Sequence, residues 1–189
     1  MINDYELLSK DTLTYLILRK GIKTWVELIE FVQSLPYGRN QNRNDLSLVL
    51  SQEIGTCSSK HALLKTVADL NNIPDVQLKL CIFEMNSINT PKIAKVLKNE
   101  VVDRIVEAHC YLQINQNCYD FTTFESDINQ LKDDILFEKT IEPKDINLNK
   151  VEFHKYYLKD WIKNNKLPVT FEMVWQLRER CIKALSKSH

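Results

Sequence analysis

Apolar residues recur every three or four positions in several stretches of the 189-residue chain. This spacing is typical of amphipathic helices, whose apolar stripe faces the protein core. At the start of one such stretch, Thr24 and Glu27 have the spacing of a capping box. The pattern predicts helices over about residues 4–20, 25–35, 45–50, 58–71, 148–164 and 171–186.

The middle of the chain follows a different pattern. From Val76 to Ile82 every second residue is apolar, which is the period of a half-buried strand. Two more strands are predicted, over about 106–114 and 117–122, and Asn115 and Gln116 can form the turn between them. Two segments are predicted to be irregular: 86–104, with one helical turn near 93–97, and the acidic stretch 125–146. The order of helices, a small antiparallel sheet and helices again predicts an α+β fold.

The composition excludes several classes of protein. The chain has 25 basic and 25 acidic residues, so it has no basic excess for nucleic acid or an anionic membrane. No apolar stretch approaches the roughly 20 residues of a membrane-spanning helix. Five cysteines, an odd number with no C-x-x-C pair, argue against structural zinc and for a reducing compartment. We therefore expect a cytoplasmic protein without a metal or cofactor, and its oligomeric state stays undetermined.

Cys57 is the first residue with chemical potential. It lies in the segment Gly55-Thr56-Cys57-Ser58-Ser59, where a loop becomes a helix. Unpaired backbone N–H groups and the helix dipole favour a thiolate at such a position. The same N–H groups could form an oxyanion hole, with Gln52 as a candidate for a second donor. The alternative is that Cys57 is a small buried apolar residue.

His109 and Asp120 lie on the two predicted hairpin strands. If the turn has two residues, Tyr111 pairs with Asp120, and the His109 and Asp120 side chains share a face as diagonal neighbours. A turn of three residues would place Asp120 on the other face. The alternative for His109 is a solvent-facing histidine without a role. His61, one turn after Cys57, is a less favoured candidate base and is expected to be a surface or supporting residue.

A thiol, a base and a group that orients the base are the parts of nucleophilic catalysis. Cys57 would attack a carbonyl carbon, and His109 would pair with the thiolate and protonate the leaving amine. Asp120 would hold the imidazole in one tautomer.

At these residues the sequence resembles the transglutaminase-like superfamily, a branch of the papain-like thiol enzymes. The family pattern is a Gly-x-Cys that opens a helix, then a strand with His, then a strand with Asp in an aromatic-Asp-x-Thr context. The matching segments begin at Gly55, Ala108 and Tyr119, and the resemblance extends over about residues 30–125. It implies a transglutaminase-like, papain-like core over 1–145 and a helical extension over 146–189 packed on the same domain.

The resemblance also implies an activity. Family members include cysteine peptidases, amidases and protein-crosslinking enzymes, together with members that have lost activity. We therefore expect a thiol hydrolase or acyl transferase that acts on a peptide or protein amide through a thioester on Cys57. Hydrolysis is favoured because it needs only water as acceptor. The alternative is an inactive binding module that recognises a protein or peptide.

Overall fold

The computed structural model describes residues 2–186, in which helices and strands follow one another as an α+β fold. The helices are α1 (Thr12–Arg19), α2 (Trp25–Ser34), α3 (Ser47–Ser51), α4 (Cys57–Leu70), α5 (Ala94–Leu97), α6 (Leu148–Asn164) and α7 (Phe171–Leu185). The strands are β1 (Val76–Asn86), β2 (Arg104–Ile114), β3 (Asn117–Tyr119) and β4 (Ile135–Ile141). Short 3₁₀ helices cover Pro91–Ile93, Ile128–Asp134 and Pro143–Ile146.

The four strands form an antiparallel sheet in the order β3-β2-β1-β4. In the β2–β3 hairpin, Ile114 pairs with Asn117, so the turn has two residues, which is the case that puts His109 and Asp120 on one face. Both turn residues have positive φ, +48° at Asn115 and +68° at Gln116, as a tight hairpin turn matched to strand twist requires. The strand ends at Tyr119 rather than at 122. Asp120 therefore follows the strand directly, at the position that the register assigns opposite Tyr111.

Strand β4 was not predicted from the acidic segment 125–146. It pairs with β1 at the edge of the sheet, where Leu78 lies opposite Ile141. Most of its side chains are exposed or half-buried, and Ile141 is its buried residue. An edge strand of this kind lacks the apolar alternation that identifies a half-buried strand.

The first helix is shorter than its predicted range of 4–20. Asp11 caps it, because the Asp11 side chain accepts a hydrogen bond from the Thr14 backbone N–H at 3.0 Å. The residues before the cap are extended and pair with the start of α2, through Leu7 N–H to Lys23 O (2.9 Å) and Trp25 N–H to Tyr5 O (2.8 Å). Backbone pairing with a distant segment has replaced the local helix there.

Helix α4 packs against β1 and β2 and also contacts α2. Its Leu63, Leu64 and Val67 are fully buried. This packing places the first residue of α4, Cys57, beside β2.

The C-terminal helices α6 and α7 pack on β2. His154 of α6 hydrogen-bonds to the Val106 carbonyl at 2.9 Å, and Arg178 of α7 donates two hydrogen bonds to Glu107, at 2.7 and 2.6 Å. Residues 146–186, the described part of the predicted extension 146–189, thus pack on the sheet that carries His109. None of the helices in residues 2–186 is long and apolar enough to cross a membrane.

Candidate active site

Cys57 is the first residue of α4 and is held there by a capping box. The Thr56 side chain accepts from the Ser59 N–H at 3.3 Å, and the Ser59 hydroxyl accepts from the Thr56 N–H at 2.9 Å. Gly55 precedes this cap and lies close to the Lys60 side chain. A Cβ at residue 55 would lie 2.7 Å from Cγ of Lys60, so the glycine makes room for that buried lysine.

The Cys57 thiol lies close to the His109 side chain, and the two residues line one cavity. Burial raises the pKa of Cys57, but the positive charges of Lys150 and His109 outweigh it and lower the pKa to about 6. Cys57 therefore favours the thiolate at neutral pH. That form is the nucleophilic one.

Asp120 holds the other side of the His109 ring. Nε2 of His109 lies 2.8 Å from Oδ2 of Asp120, which leaves Nδ1 for the thiol. Burial lowers the pKa of His109, but Asp120 and the Cys57 thiolate raise it well above its usual value. Burial likewise raises the pKa of Asp120, while His109, His61 and Thr122 bring it below its usual range. The three predicted residues thus meet as a thiolate, an imidazolium and a carboxylate.

Asp120 is itself fixed by the residue two positions on. Its Oδ1 accepts from the Thr122 N–H at 2.9 Å and from the Thr122 hydroxyl at 2.5 Å. The carboxylate that faces His109 is therefore oriented by a local turn. This is the aromatic-Asp-x-Thr context seen in the sequence.

His61 is fully buried, and both of its ring nitrogens bond to backbone. Nδ1 donates to the Cys57 carbonyl and Nε2 accepts from the Phe121 N–H, each at 2.7 Å. Burial lowers the pKa of His61 to about 4, against the opposing charge of Asp120. A neutral ring with both nitrogens occupied is unsuited to proton transfer. The sequence left open whether His61 is a surface or a supporting residue. In the structure it is a supporting residue, buried and hydrogen-bonded to backbone on both sides.

Lys60 was not singled out from the sequence. Its side chain is fully buried, and Nζ donates to the carbonyls of Leu35 and Thr122 at 2.5 Å each. Burial lowers its pKa to about 8, against the charges of Asp120 and Cys57. Lys60 therefore ties α4 to the segment that carries Asp120. A signal was present, because Lys60 shares the apolar stripe of Leu63 and Val67.

Gln52 does not occupy the position expected of an oxyanion donor. Its Oε1 accepts from Asn40 Nδ2 and from the Gln41 N–H, both at 3.3 Å. It does not line either cavity described below that reaches Cys57.

Two cavities meet at Cys57, of about 550 and about 250 Å³. They share a wall of Tyr37, Cys57, Glu107 and Ile182. We call the larger one the basic cavity, because four cationic side chains line it: Arg39, Arg43, Lys150 and Arg178. We call the smaller one the histidine cavity; its lining includes His109, Asp120, Phe83, Met85, Lys92, Glu125 and Asp127.

Lys150, from the C-terminal segment, lies close to the thiol. Its Nζ donates to the Ser58 hydroxyl at 2.5 Å, and that hydroxyl oxygen is 3.8 Å from Cys57 Sγ. Burial lowers the pKa of Lys150, but the nearby cysteines 110 and 57 and Glu107 raise it above its usual value. Nothing in the sequence around Lys150 indicated this role, because the contact spans 92 positions.

Within residues 2–186, no group of three or more His, Cys, Asp or Glu side chains is arranged to hold a metal ion. All five cysteines are free thiols, and Cys57 is the one in contact with an imidazole at a cavity.

In comparisons with known proteins, no family model, curated protein or solved structure matches the chain. The transglutaminase-like resemblance therefore stays a prediction that depends on the segments at Gly55, Ala108 and Tyr119.

Proposed function

We propose that the protein is a cysteine-dependent hydrolase or acyl transferase that acts on amide or peptide bonds through a thioester on Cys57. The observation that carries the proposal is that Cys57, His109 and Asp120 line one cavity, with His109 hydrogen-bonded to Asp120 and Cys57 at the junction with a second cavity. A helix that starts with the thiol and packs on the histidine strand also supports a transglutaminase-like, papain-like core.

Acylation begins when Cys57 Sγ attacks the substrate carbonyl carbon and a C–S bond forms. The oxyanion would lie near the backbone N–H groups at the start of α4, which point outward without helical partners. His109 then gives its Nδ1 proton to the amide nitrogen, the C–N bond breaks, and the amine leaves. Asp120 keeps Nε2 of His109 occupied, so Nδ1 is the nitrogen that transfers the proton.

Deacylation returns the enzyme to its starting state. Neutral His109 takes a proton from water, and the resulting hydroxide attacks the thioester carbonyl carbon. The C–S bond breaks, the carboxylic acid departs, and Cys57 is again a thiolate beside an imidazolium. An amine in place of water would make the same site an acyl transferase.

The test is the pH dependence of iodoacetamide alkylation, followed for each cysteine by mass spectrometry. In the wild type, Cys57 should react fastest, with a rate that rises through an apparent pKa of about 6. In His109→Ala the apparent pKa should move up toward the roughly 8.5 of a free thiol. The partly exposed Cys118 serves as the internal reference.

Two further measurements complete the test. Incubation with a peptide amide library should yield acylated Cys57, seen as an added mass on that residue and absent in Cys57→Ser. If Cys57 is inert, or titrates as a free thiol with or without His109, the catalytic proposal fails. The protein would then be better described by the alternative, a binding module for a protein or peptide.

A further inference from the structure

The two cavities at Cys57 differ in charge. The basic cavity has four cationic side chains and two carboxylates, Glu107 and Glu179. The histidine cavity has two cations, Lys92 and His109, and three carboxylates, Asp120, Glu125 and Asp127, besides the shared Glu107. The chain as a whole has no net charge, so this separation is local to the site.

Both carboxylates of the basic cavity are already paired. Glu107 accepts two hydrogen bonds from Arg178, at 2.7 and 2.6 Å. Glu179 pairs with Arg39 at 2.9 Å and with Arg178 at 2.7 Å. Arginine pairs of this geometry are among the strongest polar contacts in proteins, so neither carboxylate is free to neutralise another cation.

Two of the four cationic side chains in the basic cavity have no carboxylate partner in the described part of the chain. Among residues 2–186, neither Arg43 nor Lys150 has a carboxylate within the 4.0 Å of an ion pair. Lys150 donates instead to Ser58, beside the thiol. Arg43 is exposed to solvent where it lines the cavity, and partial burial and the charges of Arg39 and Arg178 lower its pKa against the charge of Glu179.

The position of His109 decides which part of a substrate would enter this cavity. The leaving amine receives its proton from His109, and His109 lines the other cavity. The amine part of the substrate therefore lies in the histidine cavity, and the acyl part extends from Cys57 toward Lys150 and Arg43.

We infer that the substrate is an amide whose acyl part carries a carboxylate or another anionic group, bound by Lys150 and Arg43. This inference depends on the proposed function and names its substrate class. Acylation removes the thiolate charge that Lys150 stabilises, and the anion would then supply a negative charge to Lys150 and Arg43. In the histidine cavity, Lys92 and His109 are already paired with Glu125 and Asp120, so among the described residues that cavity has no unpaired cation for the same group on the amine side.

The experiment compares the alkylation rates of Cys57 by iodoacetate and by iodoacetamide, two reagents of similar size that differ in charge. The ratio of the two rates cancels the thiolate fraction, so a change in the pKa of Cys57 does not affect it. A synthetic peptide of residues 55–61 gives the ratio without the cavity. The native protein should show a ratio roughly two- to tenfold higher than the peptide, since nearby cations attract the anionic reagent.

Four variants locate the charge. Lys150→Gln should lower the ratio most and Arg43→Gln less, because Lys150 is one hydroxyl group away from the thiol. Lys92→Gln, in the histidine cavity, should leave the ratio unchanged. Lys163→Gln, an exposed residue of α6, should do the same.

The outcomes separate the two proposals. If Cys57 reacts with both reagents but the ratio equals that of the peptide, the inferred anionic substrate class is wrong. The proposal that Cys57 is the nucleophile is then unaffected. An equal effect of Lys92→Gln and Lys150→Gln would also overturn the inference, because the anion would then lie on the wrong side. If Cys57 reacts with neither reagent, the proposed nucleophile fails and the substrate class fails with it.

Discussion

His61 and His109 lie on either side of Asp120, with ring centroids 6.5 Å apart. His109 hydrogen-bonds to Asp120 and lies near the charge of Cys57, and its pKa is raised although burial opposes this. His61 bonds to two backbone groups, and burial lowers its pKa to about 4. A histidine side chain is therefore a charged proton donor at position 109 and a neutral hydrogen-bonding group at position 61. The partners of each ring decide which form is stable.

The first turns of α4 show the same contrast between groups that line a cavity and groups that are buried. Cys57 and Ser58 face the cavities, whereas Lys60 and His61, one turn further, are fully buried. The second pair holds the Cys57 carbonyl and the Phe121 and Thr122 backbone in place. The candidate catalytic groups at the cavity are thus held by a layer of buried polar groups that does not line it.

The largest effect should be seen in a comparison of His61→Ala with His109→Ala. His61→Ala leaves the Cys57 carbonyl and the Phe121 N–H buried without partners and creates a cavity, at a cost of about 3–4 kcal/mol in the free energy of unfolding. His109→Ala should cost about 1–2 kcal/mol, because Asp120 keeps its bonds to Thr122 and the histidine cavity admits water. Urea unfolding followed by circular dichroism measures both. An equal loss would contradict the division of roles.

A pH titration of stability should sharpen the contrast. The pKa of His61 is depressed from 6.5 in the unfolded chain to about 4 in the fold, so the unfolded chain binds the proton more readily. Stability should therefore fall as the pH drops from 6.5 to 4, by about 3 kcal/mol from this group alone. The carboxylates with lowered pKa, Glu107 and Asp120, add to the loss only toward the acidic end of this range.

The controls for this titration are two variants. His61→Ala should make the curve less steep between pH 6.5 and 5 and leave the contribution of His154, whose pKa burial also lowers, whereas Cys57→Ser, which keeps His61, should retain most of the fall. Above pH 6.5, the raised pKa of His109 makes stability fall with rising pH, and the lowered pKa of Cys57 makes it rise. The two contributions oppose each other there. A curve of His61→Ala that matches the wild type would show that His61 is not buried in its neutral form.

The smallest effect is expected for Asp120→Asn. An amide can still accept a hydrogen bond from His109 but cannot balance its charge, so the pKa of His109 should fall. The Cys57 thiolate then loses part of its partner's charge, and its apparent pKa should rise by about one unit, or about 1.4 kcal/mol. Iodoacetamide alkylation of Cys57 should slow severalfold at pH 6 and change little at pH 9.

Glu125→Gln is the matched control, because Glu125 also lines the histidine cavity but pairs with Lys92. It should leave the apparent pKa of Cys57 in place. If Glu125→Gln and Asp120→Asn act alike, the general field of the cavity, and not the Asp120–His109 hydrogen bond, controls the thiol.

The elements that carry the three candidate residues were largely predictable, because their signals are local. The segment from Gly55 to Ser59 predicts a helix start within one residue of Cys57, and the hairpin was predicted although the length of its turn, on which the register of Asp120 depends, was left open. The exposed edge strand β4 and the extended residues before Asp11 were missed. Both are stabilised by pairing with distant segments, which leaves no periodicity in their own sequence.

What the sequence determined by itself is the local geometry of the thiol, the imidazole and the carboxylate, since caps, turns and strand alternation depend on neighbours in the chain. The tertiary structure decided the rest: that His109 reaches Cys57, that Lys60 and His61 are buried, and that Lys150 and Arg178 arrive from the C-terminal helices. Burial and the sum of nearby charges set each pKa and the charge of each cavity. Those quantities depend on which distant segments pack together, and no local pattern in a single sequence encodes that choice.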